Sequence, residues 1–292
     1  MTTNPKLVQA PKNVVRFDKP TLVRKSEAVR FLWGDEQSHY VPDLIYGRGE
    51  RISATTFKLS PGEYFRTSDT WRTVYDQDRY YYVVSGELTI QDPETGDIAV
   101  ARRGEAVYWR GARYHFGYNT NFAETLVLDW YAPNERALDV PEITASAKKR
   151  QLVKRVDSRE DLLGNWPHNA SADRALRERD GRVLTVRRSD ALSFLHGEKN
   201  PIRIDILVSS KLITGGVIDL RPSTMSDPEV HRGDETLFAL DEQVHVYLPD
   251  TYDWFELNPL DVLYIPGGTR HQYANNGSKT ATVAFAVSPD YR

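Results

Sequence analysis

Glu229, His231, Glu235 and His271 are side chains of the types that hold divalent metals, at spacings that allow them to meet. In an extended strand, residues two apart share a face, so Glu229 and His231 project together. Glu235 follows a turn at Arg232-Gly233-Asp234 and opens the alternating run Glu235-x-Leu237-x-Ala239, which lines the same interior. His271 enters on a separate strand after Pro266-Gly267-Gly268, with Tyr273 on its face. Two imidazoles and a carboxylate form the facial triad that suits Fe(II) and leaves positions open for substrate and O2. Mn(II), Ni(II), Co(II) and Zn(II) accept the same donors. Tyr273 is the aromatic candidate for substrate contact.

Composition removes several other chemistries. The chain has 292 residues, 38 Lys plus Arg against 41 Asp plus Glu, a formal charge of −3 and no Cys. Disulfides, thiolate zinc sites, haem attachment through Cys and Cys nucleophiles are therefore excluded, and any bound metal must use nitrogen and oxygen. A near-neutral charge disfavours nucleic acid, whose binding needs a basic surface. No apolar run approaches the roughly 18 residues of a membrane span, and the first residues lack the apolar core of a secretory signal. The expectation is a cytoplasmic protein without nucleic-acid or membrane partners, acting on a small-molecule substrate.

The elements that must position these side chains read as strands. Sixteen Tyr, 10 Phe and 6 Trp suit half-buried pleated surfaces, and turn clusters such as Ser60-Pro61-Gly62 and Asn275-Asn276-Gly277 punctuate the stretches 52–135 and 203–290. Between them, Ser158 caps a helical pattern through Leu163, and 173–179 is helical in character. Lys148, Lys149, Arg150, Lys154 and Arg155 read as a solvated charged face, since acidic residues follow at once.

An internal repeat sets the organisation. A shift of 156 positions lays 73–84 over 229–240 and, without a gap, Tyr108 on Tyr264, Gly111 on Gly267, His115 on His271, Asn119 on Asn275 and Pro133 on Pro289. Upstream, Leu59-Ser60-Pro61 corresponds to Leu220-Arg221-Pro222, at an offset of 161. The same β-unit occurs twice.

In the second copy, Pro266-Gly-Gly-Thr-Arg-His271-Gln-Tyr-Ala-Asn275 resembles the second conserved motif of the cupin superfamily, and Glu229-x-His231-x3-Glu235 echoes the first. Both β-units take part, so the chain resembles a bicupin. The resemblance implies an all-β fold of two tandem antiparallel jelly-roll barrels joined by a partly helical linker, with an N-terminal barrel over 1–139, linker over 140–199 and C-terminal barrel over 200–292. It implies one divalent metal in the C-terminal barrel, held by His231, Glu235 and His271. Glu229 replaces the first histidine of the motif and is a fourth ligand, a general base beside the metal, or a group turned away. Glu242 and Leu260 stand where the motifs have glycines, which normally supply positive φ.

The first copy has Thr73, Tyr75 and Arg79 at the ligand positions and Arg110 for the motif proline; only His115 is retained. A guanidinium has no lone pair for a metal and repels a cation, so this barrel is expected to be metal-free. His115 then reads as a hydrogen-bonded structural residue, and Arg79 as one paired internally with Asp78 or Asp129, although its planar fork would also suit a substrate carboxylate. Tyr80, Tyr81, Tyr82 and Trp109 read as core and inter-barrel packing. His39, His168, His196 and His245 have no motif context, and no nucleophile elbow, phosphate loop or dinucleotide fingerprint is present.

The implied function is an Fe(II)-type oxygenase or dioxygenase acting on a small oxygen-rich organic substrate. Its rivals are a redox-neutral isomerase or lyase, with the metal as Lewis acid and Glu229 moving a proton, and a non-catalytic binding or structural bicupin. Fold alone does not choose among these. The first barrel is expected to buttress the second, within the chain or across a homodimer.

Overall fold

The computed structural model describes residues 13–66, 77–93, 96–109, 115–132, 183–289 and 291. The helical patterns at 158–163 and 173–179, the basic cluster at 148–155, and Thr73, Tyr75, Arg110 and His168 lie outside them. Among the described residues the regular structure is β-strand apart from a single 3-10 turn at Arg188–Asp190.

Each copy of the repeat builds a larger and a smaller sheet. In the first, Val41–Gly49, Ser53–Leu59, Thr125–Ala132, Asp78–Ser85 and Ala106–Trp109 lie side by side in that order, facing the smaller sheet Tyr64–Phe65, Phe116–Tyr118, Glu87–Gln91, Ile98–Arg102. In the second, Ile202–Ser209, Thr214–Leu220, Ala281–Ser288, Asp234–Ala239 and Val262–Ile265 follow the same order, beside Thr224–Met225, Gln272–Asn275, Val244–Leu248 and Asp253–Leu257. The sequence repeat is thus a repeat of topology. Each larger sheet also borrows a strand from outside its own copy. Thr21–Val23, near the start of the chain, pairs antiparallel with Val262–Ile265, and Leu184–Val186, which precedes the second copy, pairs antiparallel with Ala106–Trp109.

Strand alternation distributes the apolar side chains over three cores. Leu237 and Ala239 point into the second copy with Val246, Leu263 and Phe285, whereas Phe238, one residue out of phase, packs between the copies with Tyr46, Tyr80, Tyr82, Trp130 and Tyr264. Tyr81 points the other way, into the first copy beside Trp109. The two larger sheets therefore meet back to back through an aromatic layer. Trp130 stacks on Tyr80 at 5.0 Å, meets the Phe238 edge at 5.3 Å and donates its indole N–H to the Thr236 hydroxyl at 2.8 Å.

Polar anchors recur at matching positions. Tyr108 donates to Asp78 at 2.8 Å and Tyr264 to Asp234 at 2.9 Å. The motif asparagines do the same structural work twice: the Asn119 amide donates to Leu59 O and Ala123 O, and that of Asn275 to Leu220 O and Lys279 O. The missing glycines divide. Leu260 keeps the left-handed turn at φ 68°, where its counterpart Gly104 has φ 84°, a conformation costing a side chain roughly 1–3 kcal/mol. Glu242 abandons the positive φ of its counterpart Gly86, and Asp241 instead accepts the N–H groups of Glu242 and Thr282.

Candidate metal centre

The centre is assembled by two segments that cross at a single bridge. Glu229 and His271 exchange both backbone hydrogen bonds, N to O at 2.9 and 3.0 Å, outside any longer strand. Val230 points to solvent between them, so Glu229 and His231 turn inward together. The turn before His271 needs both glycines. A Cβ on Gly267 would lie 2.3 Å from Arg232 O, while Gly268 has φ 82° and donates its N–H to His231 O at 2.7 Å. That close approach draws the two histidine segments together, with ring centroids 5.1 Å apart.

Ligand atoms of Glu229, His231 and His271 all lie within 4.8 Å of one another, and all three residues are buried. Metal–nitrogen and metal–oxygen bonds of about 2.1 Å place the adjacent ligands of one ion about 3 Å apart, so the three side chains face one point and close on an ion by drawing in. Both imidazoles are aimed. His231 Nδ1 is 3.0 Å from Tyr291 O and His271 Nδ1 is 2.9 Å from Thr269 O. A carbonyl only accepts, so each Nδ1 carries the proton and each Nε2 keeps its lone pair. His231 Nε2 and Glu229 Oε1 are buried with no hydrogen-bond partner. A carboxylate and an imidazole lone pair buried toward one point are costly without a cation, and this donor set fits a divalent metal.

The electrostatics agree. Burial lowers the pKa of His231 and takes that of His271 down to about 4, Glu229 opposing both, so the imidazoles are neutral as ligands require. Burial alone would raise Glu229, but contact with His196 and the nearby His271 and His231 hold it below the usual carboxylate value. Glu235 moves the other way: burial and the Glu229 charge raise it, with the Tyr273 hydroxyl opposing in part.

The structure sets Glu235 beside the close trio rather than in it. Its Oε2 is 3.3 Å from His271 Nε2, and Tyr273 donates to both its oxygens at 2.9 and 3.0 Å. Tyr273 is fully buried and also 3.1 Å from His271 Nε2. His196 has no motif context in the sequence, yet its Nε2 lies 3.1 Å from Glu229 Oε2, at the half-exposed edge of the centre. Their separation of 33 positions gives no local signal. His245 stands apart, next to Trp254 and 3.9 Å from Glu256.

At the matching place in the first copy, Arg79 is paired with Asp129 at 2.8 Å and lies over the Tyr131 ring, while His115 packs on Trp109 at 4.5 Å and approaches the Tyr81 hydroxyl at 3.4 Å. Of the two acids expected for Arg79, Asp129 takes the role, and Asp78 instead receives Tyr108 and Ser210. These groups line a cavity with Trp33, Asp43 and Phe57.

No protein-family model matches the chain, and no curated protein does. Solved structures do. The E. coli protein Ylba is similar at TM-score 0.62 and 10% identity, over 96% of this chain and 94% of that one. Oxalate decarboxylase from Lactobacillus farciminis, in a formate complex, gives 0.60 and 13%, over 97% and 88%. Oxalate decarboxylase from Bacillus subtilis, whose Mn(II) centres were studied by EPR, gives 0.59 and 14%, over 97% and 80%. At such identities the likeness is one of fold, and it agrees with the two motifs read in the sequence: the chain has the cupin fold.

Proposed function

We propose that the chain is a metal-dependent cupin enzyme, an Fe(II)-type oxygenase or dioxygenase of a small oxygen-rich organic substrate, with Glu229, His231 and His271 holding the metal. The observation that carries this is the composition of the close trio, two neutral imidazoles and one carboxylate buried within 4.8 Å of one another, which is the donor set of non-haem Fe(II) oxygenases. An Fe(II) ion held there supplies Lewis acidity and one-electron chemistry toward O2. The two sheet pairs are read as tandem jelly-roll barrels, the second carrying the chemistry and the first supporting it.

The chain's own contribution divides between its two carboxyl groups. Glu229, with its pKa lowered by the neighbouring histidines, faces the ligand nitrogens, while Glu235, raised by burial and the Glu229 charge, is tied to Tyr273. Groups whose environments push their pKa values apart take opposite roles in proton transfer, so Glu235 with Tyr273 can return a proton to bound substrate. A redox-neutral, Mn(II)-dependent reaction is the second reading, favoured by the fold shared with oxalate decarboxylases.

Oxygen consumption separates the two. Protein loaded with Fe(II) is given small hydroxy-, keto- and dicarboxylic acids in an O2 electrode cell, with Mn(II)-loaded protein alongside. Stoichiometric O2 uptake with substrate loss supports oxygenation; equal turnover without O2 overturns it in favour of the redox-neutral reaction.

A further inference from the structure

Glu229 has two carboxylate oxygens in different company. Oε1 is 3.8 Å from His271 Nε2, on the side of the other ligand atoms, and Oε2 is 3.1 Å from His196 Nε2. His196 closes the strand Leu192–His196, whose pairing with Ile202–Ser209 sets His196 opposite Ile202. Its side chain is two-fifths exposed, while that of Glu229 is nearly covered. The contact is close without being aligned as a hydrogen bond, and both oxygens of Glu229 are buried.

The placement of His196 is enforced from the Glu229 side. Gly197 turns the chain at φ 107°, and a Cβ there would sit 3.1 Å from Asn200 O and 3.3 Å from Asp227 Oδ2. Asp227, two residues before Glu229, then grips the turn: Oδ2 accepts the N–H groups of Glu198 at 2.7 Å and Lys199 at 2.8 Å, and Oδ1 that of Asn200 at 3.1 Å. Ser226 is fixed in turn to the His271 strand, exchanging bonds with Tyr273 through its N–H at 2.8 Å and its hydroxyl at 2.9 Å. A closed circuit therefore runs from His196 through the turn to Asp227, along the chain to Glu229, and across to His271.

We infer that His196 is a positioning residue for the metal centre, occupying Glu229 Oε2 so that Oε1 alone is presented to the ion, with Asp227 as the clamp that holds His196 in place. This rests on the metal-binding role proposed above. A carboxylate with one oxygen engaged binds through the other and keeps its orientation when the ion leaves; freed of His196, it can rotate or bind through both. Partners of this kind outside the ligand set change metal affinity by about 10–100-fold.

The test uses the full-length chain and Mn(II) alone, titrated with free ion followed by EPR and the bound ion by its fine structure. The parent protein is expected to bind Mn(II) at one site. His196→Ala is expected to weaken binding by about 10–100-fold and to alter the fine structure. His196→Gln, whose amide nitrogen reaches the same position, is expected to restore most of both. Asp227→Ala is expected to weaken binding in the same direction by a smaller factor. Unchanged affinity and spectrum in His196→Ala, or an equal loss in His196→Gln, overturns the positioning role, and an unaffected Asp227→Ala overturns the clamp. Absence of a site in the parent protein is read from that sample alone and removes the metal assignment and this inference together. Should His196→Ala fail to fold, the affinity and spectrum of the Gln and Asp227 variants decide.

Discussion

A histidine becomes a ligand through what holds its other nitrogen. His231 and His271 each present Nε2 because a backbone carbonyl engages Nδ1, whereas their relative His115 is wedged among Trp109, Phe65 and Tyr81. His271→Ala should therefore lower metal affinity at least tenfold, beyond the smallest losses seen for outer partners, while His115→Asn should leave metal content unchanged, both measured by elemental analysis of untagged protein. The first copy offers a separate test. Burial pushes the Asp43 carboxyl well above its usual value of 3.8, Asp129 adds to this and Arg79 offsets only part. A group raised in the folded state favours folding below its unfolded pKa and loses that contribution as pH rises through the folded one. Asp43→Asn should thus melt above the parent at neutral pH and lose the advantage as pH falls toward the unfolded carboxyl value. His231 and His271 were legible as candidate ligands because each sits in a motif whose register the repeat fixes. His196 was not, since its partner lies across a turn that only Gly197 and Asp227 explain.

At the scale of elements, alternation was the legible signal and turn geometry the harder one. The out-of-phase placing of Tyr80, Tyr81 and Tyr82 follows from a period of two, and the structure puts the middle ring in one core and its neighbours in another. Position 260 shows why sequence spacing is a weaker guide to turns. The Leu260 N–H donates to Ala239 O at 2.8 Å and its side chain packs on the layer between the sheets, which holds a leucine where glycine would fit without strain. The clearest element-level contact is the indole of Trp130 on Thr236. Trp130→Phe removes that bond and leaves a buried hydroxyl and a void, and should cost about 2–4 kcal/mol in urea denaturation, with metal content unchanged.

For the whole molecule, the repeat foretold two like units, but not the strand that each receives from outside its own copy. Composition and periodicity describe a segment's own preference; they carry no record of which distant edge it will cover. That edge matters to any truncation. A fragment beginning at 197 lacks Thr21–Val23 against Val262–Ile265, lacks the Leu192–His196 strand, and uncovers the aromatic layer. Exposed edges and a bare apolar face favour association, so this fragment should be poorly soluble on its own, as judged by sedimentation; a monodisperse, fully metal-loaded fragment would contradict the back-to-back arrangement.

The reciprocal crossing of Thr21–Val23 and Leu184–Val186 also bears on ancestry. Two short chains, each folding once and extending a leading arm over its twin, would make the same contacts around a twofold axis. Joining them end to end leaves that handshake intact while freeing it from dilution, and from then on the two copies can diverge without separating.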